Sequence, residues 1–133
     1  MKILFPKSSI LGSVRTLDNK TLDRQRADAY RVLKILRNPN HPSNLLPIVK
    51  MWKGCETVLN IYFNMCCQEY VRRGFRNGLS TIRVNIGNLN WPSWFGDDKI
   101  HSSHRSYLLY VNPEYYAQYK WEDKPSRDVL YPV

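Results

Sequence analysis

The chain has 133 residues, which suits one domain, and its 43% hydrophobic content supports a core without covalent staples. A net charge of +9, a pI near 9.6 and 13% aromatic residues point first to nucleic acid, because cations hold phosphates and aromatic rings stack on unpaired bases. Three cysteines, two of them adjacent and none in a C-x-x-C pair, exclude a disulfide framework or a zinc knuckle; buried free thiols are expected.

Residues 1–17 read as a lead-in with two apolar patches, Ile3 to Phe5 and Ile10 with Leu11. Pro6 and Lys7 interrupt it before the apolar region of a signal peptide can develop. No segment reaches the ~18–20 apolar residues of a membrane span. The expected setting is therefore the cytoplasm, of a bacterium or of a host cell in which a virus-encoded protein acts, with no membrane partner. A first helix is predicted from about Asp18 or Thr21 to about Arg37, with Asp18 as N-cap, and "NPNHPSN" stops it.

Pro47 suits the first turn of a second helix. Ile48, Met51, Trp52, Cys55, Val58, Leu59, Tyr62, Met65 and Cys66 keep helical spacing, which predicts one helix to about Arg73, closed by Gly74. At roughly 25 residues and 1.5 Å per residue it would cross the whole domain. "STIRVNIGNL" alternates apolar and polar residues, which fits one short β segment near residues 80–87. "NWPSWFG" reads as an aromatic loop. A third helix is predicted from Asp97 or Asp98 to about Tyr110, and "PEYYAQYKW" as a short last one capped by Asn112. The expected fold is all-α, a single compact helical domain over residues 1–133 built around one long central helix.

Two helices carry polar residues where their periodicity calls for apolar ones. In "LDNKTLDRQRADAYRVLKIL", Arg26 falls on the side of Leu22, Ala29, Leu33 and Leu36, flanked by Gln25 and Asp28. In "DDKIHSSHRSYLLYV", His104 interrupts the stripe of Ile100, Tyr107, Leu108 and Val111, with His101 one turn away. An unsatisfied buried polar group costs roughly 1–3 kcal/mol, so such groups are expected to bind one another or something else. Arg26 is read as a cleft residue that binds phosphate or orients Asp28, and Asp28 as a general base or a stabiliser of a cationic sugar. The plain alternative is an arginine whose stem packs on the core and whose head reaches water. His101 and His104 suit phosphate binding, acid–base work, structural bonds, or, with His41, a metal. The His-x-x-His spacing is too common to commit to a metal, so none is assigned, and no cofactor motif is present. Trp94 and Phe95 are the preferred contacts to a base, with Lys50 and Arg105 among the cations.

Four segments carry a resemblance: "LDNKTLDRQRADAYRVL", "NHPSNLLPIVKMWKGCETVL", "CCQEYVRRGF" and "PSWFGDDKIHSSHRSYLLYVNPEYYAQY". In this order they resemble the small all-helical pyrimidine-dimer DNA glycosylases of the phage endonuclease V type, and still more a set of small, poorly characterised bacterial and viral relatives. The resemblance implies a helical enzyme that kinks DNA, flips a nucleotide and breaks a glycosidic bond. In that family an N-terminal amine attacks the sugar carbon to form an imine, elimination can then cut the strand, and an acidic residue on the first long helix is essential. The acidic position falls on Asp28, and Arg26 and Arg31 lie near the family's arginines. The chain departs from the family twice. Lys2 is too large for ordinary methionine removal, which would make Met1 the nucleophilic amine, of reference pKa about 8. Asp28 stands where the phage enzymes have Glu.

The leading expectation is a monomeric DNA glycosylase that excises a damaged or modified pyrimidine-type base from duplex DNA, with Asp28, Met1 and Arg26 catalytic. Gln25, Arg31, Lys50, His41, His101, His104, Arg105 and Trp94 would bind DNA. The alternatives are a binder of bent or damaged DNA that does not cut, and a hydrolase of free nucleotides or nucleosides. Convergence of Asp28 and the histidines on one pocket would favour the enzyme over the binder.

Overall fold

The protein is described by a computed structural model covering residues 1–132, the side chain of Asn88 apart. Among the described residues six α-helices carry the fold: α1 (Ile10–Thr16), α2 (Asn19–Leu36), α3 (Pro47–Lys50), α4 (Glu56–Arg72), α5 (Asp98–Val111) and α6 (Pro113–Tyr116). Short 3-10 turns lie at Pro42–Leu45, Ile86–Asn88 and Ala117–Tyr119. The all-α expectation holds. Among the described residues no helix is long and apolar enough to cross a membrane.

α1 was not anticipated. Ser9 caps it by accepting from the Gly12 amide, and Arg73 holds its far end by donating to the carbonyls of Arg15 and Leu17. Arg73 and Arg72 both bind the buried Glu69, whose carboxyl these guanidiniums hold below its ordinary range against the opposing effect of burial. α2 begins one residue after Asp18, as expected, but the Asp18 side chain makes no cap bond. Its carboxylate accepts instead from the Tyr116 hydroxyl, which in turn accepts from the Asp18 amide. That exchange pins α6 to the start of α2.

The long central helix is divided. The chain turns between α3 and α4, where Gly54 takes a φ of +81°, outside the helical region and accessible to glycine. Met51, Trp52 and Cys55 stay buried through the turn, so the apolar periodicity continues where the helix does not. The remaining 17-residue α4 still forms the hub, packed on α2 and α1. Burial pushes the Cys66 and Cys67 thiols above their ordinary range and leaves them as inert core.

The predicted β segment is absent: the described residues contain no strand. The alternation is real, since Ile82 and Val84 are half-buried between exposed neighbours, but no strand lies alongside. The Asn64 side chain substitutes for one, accepting from the Ile82 amide at 2.8 Å and donating to the Ile82 carbonyl.

Candidate active site

The same substitution governs the N-terminus on a larger scale. Ile3, Leu4 and Phe5 run through the core outside any helix at 0–2% exposure. Buried backbone in that state needs partners for each N–H and C=O, and helices supply them as side chains. The Lys2 amide donates to Asp28 Oδ2 at 3.2 Å, and the Lys2 carbonyl accepts from Gln25 Nε2 at 3.0 Å. The Leu4 amide donates to Gln25 Oε1 at 2.8 Å. The Tyr62 hydroxyl lies 3.0 Å from the Leu4 carbonyl and 2.7 Å from Gln25 Oε1, sharing one proton between them. The Phe5 amide donates to His104 Nδ1 at 2.9 Å, and the Phe5 carbonyl sits 2.8 Å from His101 Nδ1. Because the Gly96 amide donates to His101 Nε2, the proton of that ring is on Nδ1. Arg105 donates to the Pro6 carbonyl, and Ser13 serves both groups of Lys7. Burial, then the neighbouring His101, holds His104 down at about 4, so it stays a neutral acceptor.

This threading carries the start of the chain to a cavity of about 510 Å³. Met1, Lys2 and Leu4 form one side. α2 contributes Lys20, Thr21, Arg24, Gln25, Ala27, Asp28 and Arg31, with Asp18 at its start, and α5 faces them with Tyr107 and Val111, followed by Asn112. Asp28 is half-buried, and Lys2 is its hydrogen-bond partner among the described residues. The Lys2 ammonium lies 4.8 Å over the Tyr107 ring. Lys2, Lys20, Arg24 and Arg31 therefore surround a carboxylate beside the chain's first residue. That is a positive mouth suited to phosphate, with an acid–base group inside.

The sequence model described as pyrimidine dimer DNA glycosylase matches residues 2–82, more than half of the chain. The chain belongs to that family. Its function is thus of the DNA-glycosylase type and its substrate is DNA. The matched stretch contains the N-terminal segment from Lys2, α1 to α4 and the cavity wall on α2, whereas α5 lies beyond it. No curated protein and no solved structure matches the chain.

Within this family member, several residues expected at the site lie elsewhere. Arg26 does not enter the cavity or touch Asp28. It ion-pairs with Asp23 at 2.7 Å, donates to Asn77 and stacks 4.0 Å over the Tyr70 ring. Two residues along a helix turn the side chain by about 200°, so Arg26 and Asp28 leave α2 on different flanks. Gln25 reaches the cavity wall, but both ends of its amide bind the N-terminal segment. His101 and His104 grip Phe5 and do not line the cavity with Asp28. His41 caps the 3-10 turn that follows it by accepting from the Ser43 amide, far from the other two histidines in role and partners. Among the described residues no cluster of three metal-binding side chains occurs. Trp94, expected in contact with a base, is 5% exposed, crosses Trp52 edge-on and donates to the Met51 carbonyl. Arg105 binds Asp123, Asp98 and Pro6, and Lys50 is an exposed residue of α3 outside the cavity.

Asp28, Met1, Gln25 and Arg31 are the expected residues that do come together. Lys20, Arg24, Lys2 and Tyr107 were missed. A signal for the cations existed: Lys20, Arg24, Asp28 and Arg31 follow at intervals of four, four and three, which is one helix face. No comparable signal marks Tyr107, which reads from its spacing as core.

Proposed function

We propose that this protein excises a damaged or modified pyrimidine-type base from duplex DNA by flipping the nucleotide into the cavity, and that an N-terminal amine is its nucleophile. The observation that carries the reading is the 3.2 Å bond from the Lys2 nitrogen to Asp28 Oδ2, which couples the start of the chain to a carboxylate in the cavity wall. With Met1 as first residue, its amine stands one residue before that bond. Were Met1 removed, the amine would be the bonded nitrogen itself. Attack on C1′ forms a C–N bond as the bond to the base breaks. Loss of the amine protons and opening of the sugar then give the imine. Asp28 accepts a proton from the amine and offsets the cationic character of the sugar. Elimination at C3′ would make the enzyme an AP lyase as well. Lys2, Lys20, Arg24 and Arg31 hold the flanking phosphates. The protein acts as a cytoplasmic monomer without a cofactor.

Borohydride trapping on duplexes that each carry one damaged or modified base tests this. A covalent adduct mapped by mass spectrometry to Met1 or Lys2 is the expected result and identifies the base at once. An alkali-labile abasic site without an adduct would replace the amine by water activated at Asp28. The separation of both histidine rings from Asp28 favours a second reading, a binder of bent or damaged DNA that does not cut. Tight, salt-sensitive binding with neither product would establish it.

A further inference from the structure

We infer that Gln25 is a positioning residue that sets the register of the N-terminal segment, and with it the place of the terminal amine relative to Asp28. This rests on the amine-nucleophile reading above. Gln25 is 2% exposed and lies three residues before Asp28 on α2, so one rigid helix carries both the acid and the clamp. Its amide accepts from the Leu4 N–H and donates to the Lys2 carbonyl, the same two-bond pattern by which one strand reads another at residues i and i+2. A neighbouring strand would repeat this pattern along its length and tolerate slippage. A single amide matches only one carbonyl and one N–H. A slip of one residue would also bring Lys2 into the buried place of Ile3, or Pro6, which has no N–H for His104, into that of Phe5. The Tyr62 hydroxyl, completely buried on α4, holds Gln25 Oε1 and the Leu4 carbonyl and so locks the clamp itself.

His101, His104 and Arg105 anchor the segment further in, at Phe5 and Pro6. Without Gln25, the side-chain bonds left on residues 1–4 would be those of Asp28 to the Lys2 amide and of Tyr62 to the Leu4 carbonyl. The amine would then sample positions away from C1′, and misplacement by about 1 Å can cost about 10²-fold in rate. DNA affinity would be spared, since Gln25 offers its polar atoms to the N-terminal segment and not to the cavity.

The test uses the full chain, a duplex with a single abasic site as probe, the single-turnover rate of borohydride trapping, and affinity by fluorescence anisotropy. Gln25→Met is expected to trap about 10²-fold more slowly at unchanged affinity. Gln25→Glu is the sharper variant. Ionised, it can accept from Leu4 but not donate to Lys2. Protonated, its O–H restores the lost donor. Its trapping rate divided by that of the wild type at the same pH is therefore expected to climb as pH falls from 8 to 5.5. A structural defect alone would not produce that rise. Wild-type rates in either folded variant, equal losses of rate and affinity, or a ratio that stays flat with pH would overturn the inference while leaving the nucleophile in place. Absence of any adduct with the wild type would instead remove the amine-nucleophile reading on which the inference stands.

Discussion

The N-terminal segment is gripped from two sides, and the sides differ in what they have left over. On α5, His101 and Arg105 bond Phe5, Pro6 and local partners, and His104 gives its accepting Nδ1 to Phe5, away from the cavity. On α2, Gln25 is spent in the same way, but Asp28 gives one oxygen to Lys2 and remains half-buried in a cavity among cations. Both sides interrupt an apolar stripe with polar groups, and burial alone does not tell them apart. What does is the count of donors and acceptors against partners: a satisfied buried group is architecture, and one with spare capacity facing a cavity is a candidate for chemistry.

Asp28→Asn should break the comparison most sharply. Loss of the acid–base group is expected to lower excision by roughly 10²–10⁴-fold, with little change in thermal unfolding, because an amide oxygen still accepts from Lys2. Full activity in a folded Asp28→Asn protein would remove Asp28 from the site. His104→Ala should do the reverse. It leaves the Phe5 amide without a partner and opens a void, so a stability loss of about 2–4 kcal/mol is expected in denaturant unfolding.

The same histidine gives the α5 side a pH signature. Its folded-state value of about 4 is depressed from 6.5, so the unfolded chain takes up the proton first as pH falls. The stability that neutral His104 contributes is whole above about pH 6.5 and is progressively lost down to about pH 4, on the order of 3 kcal/mol over that window. Unfolding midpoints for the wild type and His104→Ala, measured across this range, should converge on the acid side. Parallel curves would mean that His104 does not carry the dependence.

The two arginines of α2 sharpen the contrast within one helix. Arg26→Met should cost about 1–3 kcal/mol of stability through its lost partners Asp23, Asn77 and Tyr70, with no change in excision rate per folded molecule. Arg31→Gln should leave stability unchanged and reduce the slope of log affinity against log salt by about 1, the mark of one lost phosphate contact. An excision defect specific to Arg26→Met would return that residue to the site.

Helix content, the start of α2 beside Asp18, the α5 cap at Asp97 and the importance of the polar intrusions were all legible from periodicity and local chemistry, because they depend on residues within a turn or two of one another. The face of Lys20, Arg24, Asp28 and Arg31 follows the same spacing rule, although Lys20 and Arg24 were missed. The break at Gly54 was not, since burial continued across it and the apolar rhythm with it. The missing strand was not either: alternation reports which side of an extended segment faces the core, and not whether its backbone partner is another strand or the side chain of Asn64.

By itself, then, the sequence determined an all-α basic protein of a DNA-glycosylase family with a carboxylate on its first long helix. Only the tertiary structure decided which polar groups were free to act. Apart from Asp23 at Arg26 and Gly96 at His101, the hydrogen-bond partners of Gln25, His101, His104 and Arg26 come from segments 21 to 99 residues away, and hydrogen-bond satisfaction over such separations is a property of packing that no local pattern encodes.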